Sequence, residues 1–163
     1  MPYLIRRISR AKWEEIEQGE VSADAITNDL KTVQNDLSVW VIPNKKELEK
    51  AVLALITGAK QTKFSTLHLV LIEENLVISK SLILKITKGD TVIKSLQSLH
   101  RDIGDLTYSK LGTIKDLILN CIKSDNYALY TKRQLKDLVK SAIASGELLK
   151  ESLNPELVSN EKI

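Results

Sequence analysis

Reactive side chains are scarce in this chain. One cysteine, Cys121, and two histidines, His68 and His100, stand among 163 residues. Nucleophilic, redox and transition-metal chemistry draws mostly on those two residue types. A single cysteine excludes an intrachain disulfide and every zinc pattern built on cysteine pairs. Nothing demands an oxidising compartment. Aromatic residues make up only 4%, so Leu, Ile and Val must build the core, and a base-stacking surface for single-stranded nucleic acid is disfavoured. The six glycines fall mostly at predicted element ends. None forms a GxGxxG or GxxxxGK phosphate loop, and no cofactor is expected. Apolar runs are short. Leu69 to Ile72 has the length of a strand, far below the ~20 residues of a membrane span. The start, Met1 to Arg7, lacks the roughly 7–15 apolar residues of a secretory leader. The expectation is a soluble, cytoplasmic protein with no membrane association.

What is present is ordinary for a globular chain: 43% hydrophobic and 28% charged residues, with 24 Lys plus Arg against 21 acids. A formal charge of +3 is weak for a dedicated nucleic-acid binder. Length and apolar content suffice for one core. The expected fold class is α+β, a small mixed β-sheet packed against helices, with a helical C-terminal third. Residues 1–150 are read as a single domain, with a possible helical subdomain at 104–150. Residues 151–163 are read as a flexible polar tail.

Strands are expected at residues 3–8, 37–42, 67–73 and, in short pieces, 76–78 and 82–86. Residues 67–73 are almost wholly apolar and should be central. Asn44 and Glu47 have the spacing of a capping box ahead of an expected helix over residues 45–57, whose stripe is Leu48, Ala51, Val52, Leu55 and Ile56. Shorter helices are expected at 10–17 and 23–31, and longer ones at 91–103, near 113–123 and at 132–145.

Four clusters invite a functional reading. His100-Arg101-Asp102, with Asp105 nearby, sets a histidine beside carboxylates, the raw material of a general base. On a helix, consecutive residues point about 100° apart and do not converge. Asp24 with Asp29-Leu30-Lys31 has the acid then acid-x-Lys order of magnesium-dependent nucleases. That geometry wants a strand, where positions two apart share a face, and this segment reads as a helix. Lys132, Lys136 and Lys140 form a basic ridge with Arg133 beside it. Two helices joined by Ser124 to Tyr130 then suggest a helix-turn-helix, although the linker exceeds the usual turn of about 3–4 residues. Last, Arg6, Arg7, Lys12 and Trp13 combine cations with a tryptophan on a short polar helix, the composition of an interface hot spot.

His68 lies mid-strand and reads as a sheet residue; no metal site is expected. The leading function is a non-catalytic protein-interaction or accessory module with an unknown protein partner. The alternatives are a DNA-binding regulator using the basic last helix, and a small metal-dependent hydrolase drawing on Asp24, Asp29 and His100.

Overall fold

Strands that are apolar on both sides set the layering of this protein. The computed structural model describes residues 1–163. In chain order they are β1 (Tyr3–Ile8), a 3-10 turn at Arg10–Trp13, β2 (Glu15–Glu17), β3 (Glu20–Val21), a π-helical turn at Ala25–Asp29 and β4 (Leu37–Ile42). Then come α1 (Leu48–Ile56), β5 (Leu67–Glu73), α2 (Glu74–Ser79), β6 (Ile83–Ile86), a 3-10 helix at Lys94–Leu99 and β7 (His100–Gly104). The chain ends with α3 (Tyr108–Lys123), β8 (Tyr127–Tyr130), α4 (Lys132–Ala144) and α5 (Pro155–Glu161). Six strands form one sheet in the order β6-β7-β4-β1-β5-β8. The fold is α+β, with every pairing antiparallel instead of mixed.

Alternation along the strands feeds two cores. On one face Ile5, Trp40, Ile42, Leu67, Leu69 and Leu71 pack with α1, α4 and α5. On the other, Leu4, Ile8, Leu37, Val39, Val70 and Ile72 pack with α3, the segment around Trp13 to Leu30, and Val77 of α2. Burial on both faces is why β5 reads as a continuous apolar run. We call these the α1 face and the α3 face.

Several expectations are corrected. The helix expected over 91–103 is a 3-10 helix followed by β7. Leu96 and Leu99 have the three-residue spacing of a 3-10 turn, and from His100 onward pairing with β4 and β6 takes over. The helix expected over 10–17 stops at Trp13, and residues 15–21 turn back as a hairpin. Trp13 and Ile16 are three apart, which suits a helix, yet Glu15-Ile16-Glu17 also alternates, and Gly19 (φ +78°) supplies the turn. Residues 76–78 are helical, not extended. The expected linker Ser124 to Tyr130 contains β8. A strand of the sheet therefore separates α3 and α4, and each packs on a different face. They form neither a helix-turn-helix nor a helical lobe of their own.

The segment 151–163, expected as a loose polar tail, is docked. Leu153 and Leu157 enter the α1-face core. Asn154 Nδ2 donates to Ala59 O at 3.2 Å and Asn160 Nδ2 to Thr62 O at 2.9 Å. Glu161 is fully buried. It accepts from Phe64 N at 2.8 Å and pairs with Lys132 Nζ at 3.0 Å. Three apolar residues spaced for one helix face (Leu153, Leu157, Val158) were hidden by the polar residues between them. Burial pushes the Glu161 carboxyl up, but the Phe64 N–H, Lys132 and Lys136 outweigh it and hold it below its usual range. A depressed acid contributes stability above its unfolded value, about 4.3, and loses it as pH falls through the folded value. Thermal melts across pH should therefore show wild type losing more stability than Glu161→Gln below about pH 4. Parallel curves would contradict the ion pair.

Candidate protein-interaction surface

The segment from Ser9 to Leu30 has little regular structure, so it needs a fixed point, and Asp29 is that point. Its Oδ2 accepts from Ser9 N at 2.6 Å and Trp13 Nε1 at 2.7 Å, and its Oδ1 from Ser9 Oγ at 2.9 Å. The Arg6 guanidinium donates to the Asp29 carbonyl and, at 2.7 Å, to Ser38 O. Trp13 is 1% exposed. The sequence allows it partial exposure in an interface patch; it is instead the plug that seats this segment on the α3 face. The interface patch read from Arg6, Arg7, Lys12 and Trp13 is not assembled. Arg6 and Trp13 turn to the α3 face, Lys12 is half-buried, and Arg7 lies exposed near Ser65 on the opposite side.

With its root fixed, the β2–β3 hairpin lies along α3. Lys115 Nζ donates to Gly19 O at 2.6 Å and approaches Glu20 at 3.4 Å, and Lys123 pairs with Glu15. Between hairpin, π-helical turn and helix runs a groove of about 250 Å³. Val21 and Ile26 form one wall, and Tyr108, Leu111 and Gly112 form the other. Tyr108 is 92% exposed. Ile16 and Val33, on the hairpin and on the turn that meets Leu106 N, are exposed as well. Gly112 sits inside α3, yet an added Cβ would meet nothing within 4 Å. Glycine inside a helix costs roughly 0.5–1 kcal/mol against alanine, and no contact within this chain demands it.

The charged residues lining the groove are Glu20 and Lys115, which pair with each other, while the segment that forms one wall is acidic. Residues 13–30 hold six acids, Glu14, Glu15, Glu17, Glu20, Asp24 and Asp29, and no lysine or arginine, in a chain of net +3. Of the nearby cations, Lys115 pairs with Glu20 and Asp116 and Lys123 with Glu15, while Lys110 donates only to the neutral Asp105 carbonyl. Glu14, Glu17 and Asp24 are exposed and join none of the ion pairs of the fold. Glu17 stands directly across from Glu20 in the hairpin, an arrangement of like charges that destabilises a strand pair. The run of acids was visible in the sequence. The groove was not, because Tyr108 and Gly112 lie far along the chain from Val21 and Ile26.

The other candidates are dispersed. Asp24 is exposed at the start of the π-helical turn, without a capping bond. Asp29 is bound to Trp13 on the α3 face. His100 lies on the α1 face, edge-on to Trp40 with ring centroids 5.1 Å apart, and its Nδ1 meets Thr87 Oγ1 at 2.7 Å. Burial pushes its pKa down; Asp102 opposes this, Arg101 adds to it, and the net shift is downward. The sheet thus stands between His100 and Asp29. No three His, Cys, Asp or Glu side chains are grouped to hold a metal ion. His68 is bonded and stacked to Tyr127 in the sheet. Burial raises the Cys121 thiol to about 11, with Glu73 adding and Lys45 opposing, so it stays protonated at neutral pH. On α4, Lys132 and Lys136 face the buried Glu161, Arg133 lies 3.9 Å from Asp137, and Lys140 alone of the four is unpaired.

Fold and groove together define an antiparallel-sheet α+β protein with helices on both faces and a partly apolar cleft beside α3. In comparisons with protein-family models, curated proteins and solved structures, nothing matches this chain. No helix is long and apolar enough to cross a membrane.

Proposed function

We propose that this chain is a non-catalytic accessory module of the cytoplasm that binds another protein through the Tyr108 groove. The observation that carries the reading is a tyrosine 92% exposed beside apolar walls and a helix glycine with no internal role. Exposed tyrosine in a partly apolar cleft is the composition of binding hot spots. The dispersal of Asp24, Asp29 and His100 supports a role without chemistry. The single, buried cysteine suits a reducing compartment.

Position-specific photocrosslinking tests this. A photoreactive residue at position 108, expressed in the native cell, should trap one protein that the same residue at position 133, on α4, does not. Identical adducts from both positions, or none at 108, would end the reading.

A further inference from the structure

We infer that residues 149–163 form a latch: they undock from the α1 face as one unit while the sheet stays folded, and so uncover an apolar groove between the loop that carries Phe64 and α4. The latch lies on the face opposite the Tyr108 groove. Its ties to the rest of the chain set it apart. Leu148 N donates to Ala142 O at 3.1 Å, and no main-chain bond beyond that one crosses to the body of the protein. The main-chain bonds of residues 149–163 all stay within the segment. Every polar tie across the groove runs through a side chain of the latch: Asn154 to Ala59 O, Asn160 to Thr62 O, and Glu161 to Phe64 N, Lys132 and Lys136. Such a segment can let go without breaking a ladder or a helix elsewhere, which is the character of a cooperative unit of low local stability.

The clamp at its far end is incomplete. Glu161 is fully buried, yet its Oε2 has no hydrogen-bond partner, and Lys136 Nζ stands 3.9 Å away. A buried carboxylate with one oxygen unmatched gives back part of its attraction as desolvation cost. Leu153 and Leu157 supply the apolar hold. Beneath the latch lie Phe64 and the face of α4 on which Lys132, Leu135, Lys136 and Val139 recur at helical spacing. Phe64, Leu135 and Val139 are buried while the latch is closed. Leu149, 67% exposed beside a cleft of about 390 Å³, gives the connector room to swing.

Native-state hydrogen exchange on the purified protein tests the latch amide by amide. In the wild type, the α5 amides and the Phe64 amide, which donates to Glu161, should share one protection factor. It should lie at least ~10-fold below that of the β1–β5 ladder and stay nearly constant in low urea, where the ladder's falls steeply. Leu157→Ala leaves the Glu161 carboxylate in place and should lower the shared factor at least ~10-fold. Trp13→Phe, on the α3 face, is the mild variant that separates the units. It should lower the protection of the ladder, because it destabilises the fold as a whole, and leave α5 and Phe64 as they were. Protection of α5 equal to the ladder's, a Phe64 amide that does not follow α5, or Trp13→Phe lowering α5 and ladder alike would each overturn the latch.

Discussion

Trp13→Ala is expected to lower the unfolding free energy by about 3–5 kcal/mol, a large share of the 5–15 kcal/mol typical of a domain. Trp13 is among the largest fully buried side chains. It fills the α3-face core between the sheet and the segment that follows β1. Its removal leaves a cavity and takes one of three donors from Asp29. In a chain of this size the melting temperature should fall by roughly 10 °C. Trp13→Phe should land between wild type and alanine, since it restores volume but not the indole N–H. Urea melts followed by circular dichroism measure all three. A change under about 1 kcal/mol would show that the segment does not rest on this residue. The hairpin and the groove hang from the same plug, so the binding proposed at the Tyr108 groove should fall together with stability in this variant.

Gly89→Ala is the second large effect. A Cβ at position 89 would lie 2.7 Å from Trp40 Cζ3 and 2.9 Å from His100 Cβ, and nearer still to Trp40 Cη2. Neither neighbour can yield. Trp40 is buried in the α1-face core, and His100 is held edge-on to it and bonded to Thr87. Overpacking of this kind costs about 1–3 kcal/mol, and more where the surroundings are rigid. Gly104→Ala is the contrast. Its Cβ would meet the Lys85 side chain, 2.7 Å from Cδ. That flexible chain can swing away, giving up its pairs with Asp36 and Asp105, so a smaller loss is expected. Thermal melts should rank Gly89→Ala below Gly104→Ala. The reverse order, or a fully stable Gly89→Ala, would mean that the Trp40–His100 contact is loose.

How much of this was readable in the chain depended on how local the cause was. β1, β4 and β5, and the helix over 45–57, follow from runs and stripes in adjacent residues. So does the burial of Trp40, mid-strand among β-formers. Residues 91–103 misled because Val92, Leu96 and Leu99 share a helical spacing with a 3-10 turn, and the partner that makes His100–Gly104 a strand is β4, far back in sequence. Residues 124–130 misled because a four-residue edge strand carries too short a pattern. Trp13 was misplaced because its polar neighbours Lys12, Glu14 and Glu15 suggest exposure, while the acceptor that buries it, Asp29, lies sixteen residues on. The groove, with its exposed tyrosine and open glycine on α3, exists only after folding.

The sheet order bears on how the chain emerges during synthesis. The first strand made, β1, sits in the interior of the sheet, with β4 on one side and β5 on the other. Each of these, once translated, finds a template already in place, and β8 later adds to β5 in the same way. Of the strands that join this sheet after β1, only β6 must wait, because it is made before β7, the one strand it pairs with. Its exposed Ile83 and Ile86 are thus briefly without a ladder on either side. A chain that has emerged past residue 86 but not yet through β7 presents this strand unpaired, a state open to mispairing with a neighbour.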